Sequence, residues 1–333
     1  MVNNITLIPG DGIGPEVIES TVKVIEATGV DIRWEIVETG NNAIKAKGTS
    51  LPECVIDSIK KNKIALKGPI TTPVGRGFRS VNVKLRQNLN LFANVRPIKS
   101  FDGVSSLHEG VDFVIVRENT EDLYAGIEHM VGEDAAESIK IITRKASERI
   151  CRYAFELARK QNRKKVTLVH KANIMKLSDG LFLECGRKCA EEYRDIEFED
   201  IIVDAMSMKL VQSPQEYEVI VAPNLYGDIL SDLSAGLIGG LGLAPGANIG
   251  EDIAVFEPVH GSALDIQGKN IANPTSAILS GIMMLKHIGE FNAAEKIEKA
   301  LGETLKEENN RTIELGGNLG TKEFTLEIIN HMK

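Results

Sequence analysis

Guanidinium, hydroxyl and amide groups crowd one short stretch, Arg79-Ser80-Val81-Asn82-Val83-Lys84-Leu85-Arg86. Two more arginines follow at Arg96 and Arg117. A guanidinium offers a planar fork of donors that matches a carboxylate bidentately. Arginines joined by a hydroxyl and an amide suit a small acid carrying several carboxylates.

Carboxylates form the second group. Asp228 and Asp232, in Asn224-Leu-Tyr-Gly-Asp-Ile-Leu-Ser-Asp, are four apart and project from one face of a helix. Asp204 follows the apolar run Ile201-Ile202-Val203 and is expected to close a strand. Oxygen ligands of this kind suit Mg²⁺ or Mn²⁺, which keep waters and accept substrate oxygens. The spacing alone also fits a solvated acidic helix face, although the small and apolar residues after Asp232 make that less comfortable.

Three further segments carry reactive side chains. Tyr124 follows a strand, in Arg117-Glu-Asn-Thr-Glu-Asp-Leu-Tyr. A phenol there is able to donate a proton if its neighbours stabilise the phenolate. Lys171 and Asn173 follow another strand, Val166–His170, and a lysine near carboxylates and cations can serve in proton transfer. Taken singly, a Tyr in this position is more often packing and a Lys more often a surface charge. Glu257-Pro-Val-His-Gly-Ser-Ala-Leu-Asp-Ile, followed by Asn273-Pro-Thr, has a glycine that lets backbone approach a flat ligand. Its Asp265 has the chemistry to accept hydrogen bonds from a ribose diol and to repel a 2′-phosphate.

The elements that must position these groups alternate. Ile5–Ile8 reads as a strand, Pro9-Gly-Asp-Gly-Ile-Gly14 as a tight turn, and Pro15 as an early helical position, with Val17, Ile18, Val22 and Ile25 on one face. Gly29 is placed to end that helix. Strand-like runs recur at 111–116, 166–170, 201–203, 219–222 and 253–256. Helical patterns fall at 146–160, 181–193 and 292–307, and a helix is also read at 174–183. Such alternation marks an α/β protein. The turn Gly10-x-Gly12-x-Gly14 lacks the G-x-G-x-x-G spacing, and no clear acidic residue ends a second strand, which argues against a Rossmann site. No P-loop pattern occurs.

With 333 residues, two domains are expected. A net charge of −8 argues against a nucleic-acid partner, which would need a broad basic face. No apolar run reaches the roughly 20 residues that span a bilayer. Four scattered cysteines and a start without a basic n-region lead to the expectation of reduced thiols in a cytoplasmic protein.

Taken together and in this order, the segments resemble one family over nearly the whole chain: the decarboxylating β-hydroxyacid dehydrogenases, which act on isocitrate, 3-isopropylmalate or homoisocitrate. The stretch Asn224–Asp232 with Gly246-Ala-Asn-Ile-Gly250 is the most specific part of the likeness. Ser80-x-Asn82 with Arg86 resembles the isocitrate enzymes, where hydroxyl and amide hold the γ-carboxylate; isopropylmalate enzymes usually carry a Glu and bulky apolar residues there. The likeness is greatest to NAD-dependent forms. NADP users in bacteria carry a Lys and a Tyr where Asp265 and Ile266 stand here.

The resemblance implies an α/β, non-Rossmann, two-domain fold with a central mixed sheet flanked by helices. The larger, cofactor-binding domain would be residues 1–97 plus 236–333. Residues 98–235 would form a smaller domain with the dimer interface and clasp. It implies an NAD-dependent, Mg²⁺- or Mn²⁺-dependent isocitrate dehydrogenase. Ser80, Asn82, Arg86, Arg96, Arg117 and Asn173 would bind isocitrate, and Tyr124, Lys171 and Asp204 would act in catalysis. Asp204, Asp228 and Asp232 would hold the metal. Thr71, Thr72, His260, Gly261, Ser262, Ala263, Asp265, Ile266 and Asn273 would bind NAD. It further implies a homodimer with shared sites, Lys171 and Asp204 entering the neighbouring copy's. A homoisocitrate or isopropylmalate enzyme, and a regulatory component of a multi-subunit isocitrate dehydrogenase, stay open as alternatives.

Overall fold

A run such as Ile5-Thr6-Leu7-Ile8 has no polar face to give to water, and it is buried on both sides. That is the pattern of a strand inside a parallel sheet. In the computed structural model, which describes residues 3–71 and 80–333, strand Asn3–Ile8 pairs in parallel with Ile32–Ile36 on one side and Ile64–Lys67 on the other. Thr72, Arg76 and Arg79 lie outside the described residues.

The chain divides into two units. The first comprises Met1–Leu89, Ser100–Glu109 and Ile238–Lys333. Its strands run in the order Ile32–Ile36, Asn3–Ile8, Ile64–Lys67, Ala254–Pro258, Pro245–Ile249. All neighbours are parallel except the last pair, which is antiparallel. Helix Gly14–Glu26 packs against Thr275–His287 and Thr321–His331. Its buried face uses Val17, Ile18, Val24 and Ile25, with Val24 in the place expected for Val22. The helix ends before Gly29, which serves the following turn with φ +84°.

The glycine turn does structural work of its own. Gly12 has φ +61°, and a side chain there would run into the carbonyl of Ser262. Ile13 N–H donates to that same carbonyl at 2.9 Å, and Asp11 N–H donates to the Pro69 carbonyl at 2.8 Å. One Asp11 carboxylate oxygen accepts from Thr71 N–H at 2.9 Å. The turn therefore ties together two loops that carry expected cofactor residues.

The second unit comprises Asn90–Lys99 and Gly110–Leu237. Its strands run Ala93–Lys99, Asp112–Glu118, Val219–Ala222, Lys165–His170, Glu197–Ile202. The first pair is antiparallel and the rest are parallel. Helix Arg144–Lys160, capped by Thr143 Oγ1, packs on Ser178–Ala190, with Cys151, Cys185 and Cys189 buried as free thiols. Burial pushes the Cys189 thiol up to about 11.

Two expectations need correction here. The apolar run 201–203 does not end as a strand at Asp204: the strand stops at Ile202, and Asp204 lies in the first turn of helix Val203–Gln212. An acid there complements the positive end of the helix dipole, a signal the apolar run obscured. The helix read from 174 begins at Ser178 instead, because residues 171–177 are held in turns. Among the described residues, no helix is long and apolar enough to cross a membrane.

Candidate functional site

The antiparallel pairing of Ala93–Lys99 with Asp112–Glu118 sets Asn94 opposite Arg117, with Arg96 two residues along. Both arginines are buried. Arg96 Nε donates to Asn94 Oδ1 at 2.8 Å, and its Nη1 donates to Ser231 Oγ and, at 3.1 Å, to Asp232 Oδ1. Arg117 donates through Nε and Nη2 to Asn224 Oδ1 at 2.9 and 2.7 Å, and its Nη1 pairs with Asp228. Asn224, Asp228, Ser231 and Asp232 recur at three- and four-residue spacing along helix Asn224–Leu237, so one helix face receives both guanidinium groups. Gly227 permits that approach: a Cβ there would lie 2.7 Å from the Cβ and Cγ of Arg117.

Tyr124 stands on the 3₁₀ turn Leu123–Ala125, and its hydroxyl donates to Asp228 Oδ2. The Arg117 guanidinium lies 4.9 Å from its ring centroid. Burial pushes the phenol above its ordinary value, the bond to Asp228 adds to this, and Arg117 opposes it. Burial likewise raises the Asp232 carboxyl against the pull of Arg96. Lys171 Nζ donates to Asp204 Oδ1 at 2.5 Å; this bond lowers the exposed Asp204 carboxyl. Asn173 is exposed in the turn that follows.

Asp228 and Asp232 thus come together, while Asp204 stays with Lys171. Among the described residues of one chain, no three His, Cys, Asp or Glu side chains gather in a way that could hold a metal. The half-exposed Asp228 and the exposed Asp232 still offer the oxygen donors that Mg²⁺ or Mn²⁺ would need, with further oxygens to come from outside the chain.

In the first unit, Ser80 stands at the entrance of helix Val81–Asn88. Asn82 Oδ1 and Arg86 Nε are buried without a partner among the described residues. Arg86 Nη2 donates to Glu257 Oε1 at 3.2 Å. Lys67 Nζ reaches Glu257 Oε2 at 2.6 Å, and Asn248 Nδ2 donates to Oε1 at 2.7 Å. Burial alone would raise the Glu257 carboxyl, but the Lys67 and Arg86 cations beside it and the bonds from Lys67 and Asn248 hold it well below the usual carboxylate range. Sequence reasoning gave Glu257 no role. Its partners are far apart in the chain, and no local pattern announces them.

A cavity of about 360 Å³ in the same unit gathers His260, Gly261, Ala263, Ile266 and Asn273, with Ile13 and Glu314 among its other lining residues. His260 Nε2 is buried without a partner among the described residues, while Nδ1 faces the Gly261 carbonyl. Burial lowers the imidazole below its ordinary value. Thr71 and Ser262 hydroxyls are 2.8 Å apart. Asp265 is exposed on the turn Leu264–Ile266. The apolar walls, free imidazole nitrogen and volume fit a flat heteroaromatic group such as a dinucleotide's base. Glu314 was missed: burial raises its carboxyl, with Asn273 opposing, yet it lies on an ordinary 3₁₀ turn.

Comparison with known proteins bears on this arrangement. A family model described as isocitrate/isopropylmalate dehydrogenase matches residues 4–329. The chain is 50% identical over 328 residues to the mitochondrial NAD isocitrate dehydrogenase catalytic subunit 5 of Arabidopsis thaliana, covering 98% of this chain and 88% of that one. It is 52% identical over 329 residues to a mitochondrial NAD isocitrate dehydrogenase regulatory subunit of Dictyostelium discoideum, covering 98% and 91%. The crystal structure of isocitrate dehydrogenase from Methylococcus capsulatus matches with a TM-score of 0.97 and 57% identity, over 99% of both chains. The expectation of a cytoplasmic protein is corrected by the Arabidopsis and Dictyostelium relatives, which are mitochondrial and point to that compartment. Four free cysteines do not separate one reducing compartment from another.

Proposed function

The chain belongs to the isocitrate/isopropylmalate dehydrogenase family, and from that premise we propose that it oxidatively decarboxylates isocitrate to 2-oxoglutarate and CO₂, with NAD as hydride acceptor. The observation that carries this reading is the pair of buried arginines, Arg96 and Arg117, held on the same helix face as Asp228 and Asp232. Arginines that pair with the chain's own carboxylates are shaped to pair with a substrate's.

Ser80, Asn82 and Arg86, with Arg96, Arg117 and Asn173, take the acid's carboxylates and hydroxyl. The unsatisfied Arg86 Nε and the Asn82 amide support a polar partner at this position and not the isopropyl group of isopropylmalate. Asp228 and Asp232, with Asp204 from the neighbouring copy, would hold the divalent cation, which when bound supplies Lewis-acid stabilisation of developing negative charge. Lys171, helped by Asp204, relays the proton: its ammonium passes one to the Asp204 carboxylate it donates to and takes the C2 hydroxyl proton in its place, as hydride leaves C2 for NAD. Tyr124, a phenol protonated through the neutral range, protonates C3 after CO₂ departs, and Arg117 is the neighbour that favours its phenolate against burial and Asp228. Thr71, Thr72, His260, Gly261, Ser262, Ala263, Ile266 and Asn273 seat NAD, and the Asp265 carboxylate disfavours a 2′-phosphate. Glu314 supplies an acceptor for the amino group of adenine.

Two copies complete the site in this reading, Lys171 and Asp204 serving the neighbouring copy. Both strands of the hairpin Glu128–Val131 and Ala135–Ser138 are exposed, as are Ile127, Met130 and Ile139. An isolated two-stranded hairpin is marginal, so exposed apolar side chains around one support a second copy as its cover. The relative named as a regulatory subunit keeps one other reading in play, a chain that needs a different partner chain to turn over. The test is kcat/KM of the purified chain alone on isocitrate, homoisocitrate and 3-isopropylmalate. Isocitrate should lead. Preference for either other acid would overturn the substrate, and inactivity relieved only by a different partner chain would favour the second reading.

A further inference from the structure

Lys140 follows the exposed hairpin in sequence, yet its side chain is largely buried. Its ammonium lies 2.6 Å from Asp179 Oδ1, 3.8 Å from Asp122 Oδ1, and 4.4 Å from the centre of the Tyr226 ring. Asp122 and Asp179 are fully buried. Two buried carboxylates side by side need a cation, and Lys140 supplies it to both.

What those carboxylates hold makes the cluster more than packing. Asp179 Oδ2 accepts from the backbone N–H of Lys171 at 2.7 Å. Asp122 Oδ1 accepts from Leu123 N–H at 2.9 Å, at the start of the turn that carries Tyr124. Asp122 Oδ2 accepts from Leu225 N–H at 2.9 Å, in the first turn of the helix that carries Asp228 and Asp232. Asp122 adopts φ +70°, an uncommon conformation for a residue other than glycine, and its three-way bonding accounts for it. Through two carboxylates, one ammonium fixes the backbone at Tyr124, at Lys171 and at the aspartate-bearing helix.

We propose that Lys140 is a positioning residue for the proton-transfer groups: it holds the Tyr124 turn, the Lys171 strand end and the start of helix Asn224–Leu237 in register with one another. The inference rests on the roles assigned above to Tyr124 and Lys171. The side-chain contacts of Lys140 described above are to Asp122, Asp179 and Tyr226, so its loss should disturb proton transfer more than binding.

The test compares Lys140→Gln and Lys140→Arg with the unaltered full-length chain. For Lys140→Gln, kcat on isocitrate should fall by about 100-fold, the scale of a 1 Å misplacement. KM for isocitrate should rise far less than kcat falls, since Arg96 and Arg117 keep partners of their own, and KM for NAD should stay within about twofold, since the residues assigned to NAD lie in the other unit. The solvent deuterium isotope effect on kcat should rise as proton transfer becomes limiting. Lys140→Arg, which keeps the charge, should recover most of kcat. Hydrogen exchange supplies a reading independent of turnover. In Lys140→Gln, the amides of Leu123, Lys171 and Leu225 should lose protection together, while strand Ile64–Lys67 in the other unit is unchanged. Exchange that rises only around residue 140, or kcat and KM that change in proportion, would overturn the proposal. An unaltered chain inactive on isocitrate, with the coupled loss of protection still seen in Lys140→Gln, would sink the functional reading and leave the register intact.

Discussion

Replacing Glu257 by Gln keeps the shape of the side chain and removes the one negative charge shared by Lys67 and Arg86. The Glu257 and Lys67 side chains are 9% and 2% exposed, and their charged atoms meet at 2.6 Å. Removing one member of such a pair leaves a cation in a site closed to water, which costs about 3–5 kcal/mol. The amide oxygen still accepts from Asn248, so the loss comes from charge and not from that hydrogen bond. The sign with pH follows from the depressed carboxyl. Its stabilising contribution is complete above the unfolded-state value, about 4.3, and is lost as pH falls toward the folded-state value. The difference between wild type and Glu257→Gln should therefore be largest near neutral pH and shrink in acid. Trp34 is the chain's single tryptophan and lies in the strand Ile32–Ile36 of the same unit, so its fluorescence during urea unfolding reports on that unit. A difference below about 0.5 kcal/mol at pH 7, ordinary for a surface substitution, would refute the reasoning. So would a difference that grows as the pH is lowered. Lys67→Met combined with Glu257→Leu should recover only part of the lost stability, because Lys67 is then no longer a buried unpaired cation while Arg86 and Asn248 still lose their partner.

Other consequences are open to direct measurement. Tyr124→Phe should impair isocitrate turnover while sparing the reduction of oxalosuccinate, because in the proposed mechanism only decarboxylation and its protonation would need the phenol; equal loss of both would remove Tyr124 from that role. Gly227→Ala places a Cβ 2.7 Å from Arg117, so isocitrate kcat/KM should fall by tenfold or more, about 1.4 kcal/mol, with the far-UV circular dichroism unchanged; unaltered kinetics would mean that Arg117 tolerates displacement. Glu314→Leu should reduce kcat/KM for NAD toward that for nicotinamide hypoxanthine dinucleotide, which has an oxo group where adenine has an amino group; an unchanged ratio would take Glu314 out of base recognition.

The alternation of strands and helices was legible because its physics is local. Apolar runs such as Ile5–Ile8 and Val219–Ala222 can only be strands buried on both faces, and the four-residue spacing of Asp228 and Asp232 does lie on one helix face. Boundaries were less legible where two signals compete, as at Val203-Asp204, where an apolar strand runs directly into a helix. The reactive side chains could be named in the sequence because their types are unusual in combination. Their supports could not. Glu257 with Lys67, Asp122 and Asp179 with Lys140, and Glu314 beside Asn273 join positions distant in the chain, and each looks like an ordinary surface charge until tertiary structure buries it. The glycine turn shows the reverse case. Its glycines invite a dinucleotide-binding reading that their spacing argues against, and the partners of this tight turn are the Ser262 and Pro69 carbonyls and the Thr71 amide.

The most direct test of the account is the initial rate of the purified chain on isocitrate with Mn²⁺, measured with NAD and with NADP at equal concentration. The account predicts clear turnover with NAD, and with NADP a rate lower by an order of magnitude or more, since in the proposed reading the Asp265 carboxylate would face the 2′-phosphate with no cation assigned to offset it. Equal or faster turnover with NADP would contradict the cofactor assignment, and no turnover with either would contradict the catalytic role given to this chain on its own.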